Sequence, residues 1–228
     1  MSSVDYVNNP NQRTPFVLVL DASYSMGQKT HSGATPINAL NAGMQELERC
    51  LKADPIALTR VQLAIVCVGG PNNSADVLMD WTDCNNFEAF PMSANGNTPL
   101  AEGLLCALRL IEDGKAQLRA SGVSYTKPWL YVISDGEPTS DAQLWQRAVQ
   151  ECRAAEDQKK VEIFGIAVEG ANLAKLNQIS VRPVIPLAGV NFKELFKWIT
   201  ASVTVAAKSR PGDSVVLPPT DPWRNVGL

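Results

Sequence analysis

Histidine is almost absent: the 228 residues hold one, His31. Any Ser-His-Asp relay would have to run through it, and neither Ser23 nor Ser25 sits in the G-x-S-x-G elbow that exposes a serine nucleophile. Cysteine is sparse and odd in number, at Cys50, Cys67, Cys84, Cys106 and Cys152. No two stand about two to four residues apart, as structural zinc ligands do, so these are expected to be reduced and mostly core residues. No G-x-G-x-x-G or G-x-x-x-x-G-K-[ST] string occurs, which leaves a nucleotide cradle unsupported. An excess of basic charge is also missing. Lys and Arg number 20 against 23 Asp and Glu, for a net charge of −3. No nucleic-acid partner is therefore expected. No apolar run approaches the ~18 residues of a membrane span, and no membrane partner is expected. The opening MSSVDYVNNPNQRTP has neither a basic n-region nor an apolar h-region, so the expectation is a cytoplasmic protein. No internal repeat or low-complexity segment interrupts the chain.

What is present is an ordinary globular balance, 45% apolar and 19% charged. FVLVL at 16–20 is a short continuous apolar run, suited to a strand buried on both faces. Thr35-Pro36 reads as a helix start. Ile37, Leu40, Met44, Leu47 and Leu51 follow on one helical face. VQLAIVCV at 61–68 and DVLMDW at 76–81 are strands joined by a connection too short for a parallel crossover, hence an antiparallel hairpin. Thr98-Pro99 repeats the start signal before a helix reaching about Arg119. WLYVI at 129–133 is a fourth strand, and Ser140 with Gln143 has capping-box spacing for the helix that ends near Asp157. VEIFGIAV at 161–168 follows, then a short helix near 172–179, a short strand near 183–187, and a last helix from Asn191. This alternation predicts an α/β doubly wound sheet with helices on both faces.

Three polar clusters fall after strands or before helices: Asp21-x-Ser23-x-Ser25, Thr98, and Asp135. Ligands of open α/β sheets bind at the carboxyl ends of strands near a switch point, where these loops converge if the first and fourth strands are neighbours. Each cluster alone fits turn or capping chemistry. Together, two carboxylates and three hydroxyls make a hard-oxygen set suited to Mg²⁺, with Mn²⁺ or Ca²⁺ as alternatives. A shell of mostly neutral hydroxyls would leave the ion electron-poor and open to a partner's carboxylate.

VLVLDASYSM, GNTPLAEGL and YVISDGEPTSD, taken together, resemble the von Willebrand factor A family with its metal-ion-dependent adhesion site. The resemblance covers about residues 14–205. It implies a mostly parallel, Rossmann-like six-stranded sheet in the order 3-2-1-4-5-6, with strand 3 antiparallel. It also implies Ser23, Ser25 and Thr98 as direct metal ligands, and Asp21 and Asp135 acting directly or through water. The implied function is protein–protein adhesion or scaffolding through an acidic ligand from the partner, not catalysis. GNTPLAEGL and SDGEPTSD look most like the bacterial TerY-like branch associated with tellurite resistance. That branch implies a stress-response system with a protein-phosphatase-like and a Ser/Thr-kinase-like partner.

Around the metal residues, Tyr24, Met26, Asn97 and Glu137 are expected to form the partner-binding rim. Gly27, Gly96 and Gly136 are expected in tight turns at positive φ. His31 reads as an exposed loop residue. An Mg²⁺-dependent phosphohydrolase with Asp21 as nucleophile is the enzymatic alternative, but haloacid-dehalogenase-type enzymes resemble D-x-D there, and position 23 is Ser. A scaffold with a purely structural metal is the other. The domain organisation expected is an N-terminal extension at 1–13, the domain at 14–207, and a proline-containing tail at 208–228. Trp223 in the tail is expected to dock on the same domain.

Overall fold

A strand that is apolar on both faces must be covered on both, and the computed structural model shows how. It describes residues 4, 6, 9–135, 137–210, 213 and 215–224. Strand β1 (Thr14–Ala22) is buried at every position. Its even-numbered Phe16, Leu18 and Leu20 face one core and its odd-numbered Val17 and Val19 face another, as the two-residue strand period requires. The sheet continues with β2 (Val61–Gly69), β3 (Ser74–Asp83), β4 (Trp129–Ser134), β5 (Glu162–Ala167) and β6 (Ile185–Pro186). Its order is β3-β2-β1-β4-β5-β6, with β2–β3 antiparallel and the other pairs parallel. The expected order and the short hairpin are both present.

Among the described residues, six α-helices surround this sheet: α1 (Pro36–Ala53), α2 (Pro55–Arg60), α3 (Leu100–Ala120), α4 (Ala142–Asp157), α5 (Leu173–Leu176) and α6 (Phe192–Lys208). Helices α1 and α6 cover the Phe16 face, and α3 and α4 the Val17 face. Among the described residues no helix is long and apolar enough to cross a membrane. Helix α2 has no counterpart in the periodicity, being too short to show one. Its signal is Asp54-Pro55, where Asp54 Oδ1 accepts from the Ile56 and Ala57 N–H groups at 2.8 and 2.9 Å. The capping box at Ser140 does not form. Asp141 caps α4, accepting from the Gln143 N–H at 2.8 Å.

Helices α1 and α6 touch at Gly43. A Cβ there would lie 2.7 Å from the Phe196 ring and 2.8 Å from Phe192 Cβ. Gly to Ala inside a helix ordinarily gains about 1 kcal/mol. Here the overpacking penalty of about 1–3 kcal/mol prevails. Gly43→Ala is expected to lower the thermal midpoint, and a rise would mean the α1–α6 seam is slack.

The segments around Arg13 and Trp223 pack onto the domain. Arg13 is fully buried, 3.6 Å from Asp83, and its backbone pairs with Ser124 and Thr126. Trp223 is fully buried against Trp198, with ring centroids 5.1 Å apart. Trp81, Trp129, Trp145 and Trp198 are core residues.

Candidate metal centre

Asp21 stands on the last turn of pleat in β1, where Leu20 pairs with Ile133 of β4. Its carboxyl is buried, and each oxygen accepts a hydrogen bond. Oδ1 accepts from the Ser23 N–H at 2.8 Å, and Oδ2 accepts from the Ser134 hydroxyl. The chain then tightens into a 3-10 turn over Tyr24–Gly27. This brings Ser23 Oγ to 3.0 Å from Ser25 Oγ. Ser25 Oγ in turn donates to Asp135 Oδ1 at 2.9 Å. Asp21, Ser23, Ser25 and Asp135 thus form one cluster across the β1 and β4 ends. Ser134 is a member the motif does not name; its only sequence signal is its place beside Asp135.

Thr98 arrives on a third loop tied to the other two. The Asn95 N–H donates to Ala22 O and the Tyr24 N–H to Gly96 O, both at 2.9 Å. Thr98 is buried at the start of α3 but does not cap it. Pro99 holds the N-cap position, and no side chain of its own closes the helix. Gly69 makes the convergence possible. At φ 82°, its absent Cβ would fall 2.6 Å from Asn97 O and 2.9 Å from the Ser23 backbone. Gly96 has the expected positive φ, 71°, whereas Gly27 closes its turn without one. Gly136 lies outside the described residues.

The electrostatics follow from burial. Desolvation raises the Asp21 carboxyl, against opposing bonds from Ser134, Ser23 and the Asp135 backbone. Burial, then the Asp21 charge, push Asp135 up to about 7, against the Ser25 bond. No cation contributes to the Asp135 shift. Two buried carboxyls, with no compensating basic group among the described residues, suit a divalent ion, and every donor is hard oxygen. Among the described residues, no three His, Cys, Asp or Glu gather as a ligand set. An ion here would rest on two carboxyls, hydroxyls and water.

Of the four rim residues, Tyr24, Asn97 and Glu137 are exposed, Tyr24 at 63%. Glu137 accepts a hydrogen bond from Asn172 Nδ2. Met26 is a correction: it is 0% exposed. The turn that aims Ser25 at Asp135 swings the following side chain inward, where a long apolar group joins the Phe16-side core. His31 is exposed, its Nδ1 2.6 Å from Glu169 Oε1.

The profile of the von Willebrand factor type A domain matches residues 16–195. No curated protein matches the chain by sequence. Among solved structures, proximal thread matrix protein 1 from the mussel byssus is similar, at 12% identity and TM-score 0.56, over 84% of this chain and 48% of that one. The pilus adhesin SpaC of Lactobacillus rhamnosus GG is similar at 13% identity and TM-score 0.65, over 86% of this chain and 31% of that one. The vWF domain of the type V pili tip protein from Porphyromonas gingivalis is similar at 12% identity and TM-score 0.63, over 89% of this chain and 99% of that one. The chain thus spans about half, or less, of the first two. Likeness at these identities concerns the fold.

Proposed function

The chain belongs to the von Willebrand factor type A domain family, and we propose that it works as a metal-dependent protein-interaction module. The observation that carries this is the hydrogen-bonded set of Asp21, Ser23, Ser25 and Asp135, with both carboxyls buried beside each other. Ser23, Ser25 and Thr98 would hold the ion directly, and Asp21 and Asp135 directly or through water. Mg²⁺ is the ion of choice, with Mn²⁺ and Ca²⁺ as alternatives. The bound ion supplies a positive centre that takes a carboxylate from a protein partner. This lets a chain of net charge −3 recognise an acidic group. Ser134 holds the Asp21 carboxyl in one orientation, and the Ser23 N–H fixes its other oxygen. Tyr24, Asn97 and Glu137 form the contact rim.

The role is non-catalytic. Position 23 is a serine, where a phosphohydrolase acting through Asp21 would need its second carboxylate. The segments GNTPLAEGL and SDGEPTSD support a more specific placement: a cytoplasmic, TerY-like scaffold of a bacterial tellurite or stress-response system, working with a phosphatase-like and a kinase-like protein.

The test is partner capture by the wild-type chain in Mg²⁺ and in EDTA, beside Asp21→Ala and Ser23→Ala. Capture is expected only by the wild type in Mg²⁺, with both variants still folded. Capture that survives EDTA and both substitutions would sink the metal bridge and favour a scaffold that binds elsewhere.

A further inference from the structure

The loop that carries Asp135 does more than deliver one carboxyl. Between β4 and α4, its residues Thr139 and Ser140 lie against Thr98 and the start of α3. The contact is reciprocal, through the Thr139 hydroxyl and its backbone N–H. The Thr98 N–H donates to Thr139 Oγ1 at 3.1 Å, and the Thr139 N–H donates to Thr98 O at 2.9 Å. One residue on, Ser140 Oγ accepts from the Ala101 N–H at 3.1 Å and donates its proton to Glu102 Oε2. Ser140 therefore caps a helix that begins about 40 residues earlier in the chain, a role that Thr98 and Pro99 leave open. Asp141 then starts α4. Thr139, Ser140 and Asp141 thus pin this loop at its far end to two helices.

Asp135, at the loop's near end, is fixed by Ser25. Thr98 has both backbone groups engaged by Thr139, which anchors its main chain just before α3. We propose that Thr139 and Ser140 are positioning residues of the metal centre. They set Thr98 at its working separation from Asp135 before an ion arrives, without touching the ion. This rests on the metal reading above. Its physical basis is preorganisation: groups that orient ligands typically change metal affinity by about 10–100-fold when removed.

The test is Mg²⁺ titration calorimetry on the full chain, with parallel melts in EDTA. The variants are Thr139→Val, Thr139→Ser and Ser140→Ala. Thr139→Val and Ser140→Ala are expected to raise the Mg²⁺ dissociation constant about tenfold or more. Thr139→Ser, which keeps the hydroxyl, is expected to bind within about twofold of wild type. A merely structural cap would lower the EDTA midpoint and leave the Mg²⁺ constant unchanged; that result overturns the proposal. Should Thr139→Val fail to fold, Ser140→Ala at the partly exposed helix start decides alone. A wild-type chain that binds no Mg²⁺ would sink the metal reading itself. That outcome is distinct from wild-type binding with indifferent variants, which sinks only the positioning role.

Discussion

Mg²⁺ is expected to stabilise this protein far more at about pH 8 than at about pH 6. Asp135 is pushed up to about 7 by burial and by the Asp21 charge, and Asp21 is itself raised by burial. Both carboxyls hold a proton more readily in the folded chain than in the unfolded one. Stability of the metal-free fold therefore falls as pH rises from the ordinary carboxylate range through about 7. A divalent ion reverses this, because it binds the ionised carboxyls and must displace any proton on them. Holding the Asp135 proton at pH 6 weakens Mg²⁺ by about tenfold relative to pH 8, or about 1.4 kcal/mol. At a free concentration about 100 times the dissociation constant, bound Mg²⁺ contributes about 2.7 kcal/mol. For a chain of this size that raises the midpoint by about 5–10 °C. Melts with Mg²⁺ and with EDTA at the two pH values measure both effects. Asp135→Asn is expected to abolish the Mg²⁺ response. The scarcity of histidine keeps the window clean, and a His31→Gln control removes the single imidazole. Equal Mg²⁺ shifts at both pH values would show that neither carboxyl faces the ion.

Trp223→Ala is expected to cost about 3–5 kcal/mol, a midpoint loss on the order of 10 °C. The ring is fully buried against Trp198. Its carbonyl accepts from the Ala188 N–H at 2.8 Å, and Arg224 bridges Leu187 antiparallel beside the short β6. Trp198 Nε1 donates to Pro218 O at 2.8 Å, which ties the preceding prolines down as well. Trp223 Nε1 is buried without a partner among the described residues. Trp223→Phe removes that orphan donor while keeping an aromatic ring, and should melt much closer to wild type. An alanine variant that melts like the wild type would mean that the tail only rests on the domain.

The parts legible in the sequence were those that local pattern controls. The unbroken apolar run at 16–20 required a doubly covered strand, and the spacing from Ile37 to Leu51 required a one-faced helix. The short link after Gly69 required a hairpin. Each is a rule about neighbours along the chain, and each holds. The three-part motif marked Asp21, Ser23, Ser25, Thr98 and Asp135, and the fold places all five at the carboxyl end of the sheet. Met26 and Ser140 were misread for one cause. Met26 has a neighbour on either side of the exposed turn but faces inward. Ser140 has capping-box spacing to α4 yet caps α3. Sequence spacing assigns a cap to the next helix, while a hydroxyl bonds whichever N–H lies within reach.

From the sequence alone, then, come the fold class, the two-sided burial of the central strand and the identity of the candidate ligands. Only the tertiary structure decided which loops hold those ligands in place, which turn side chain is core, and which ring Trp223 packs against. These depend on contacts between segments far apart in the chain, where hydrogen-bond distance and packing volume select the partner and local periodicity carries no information.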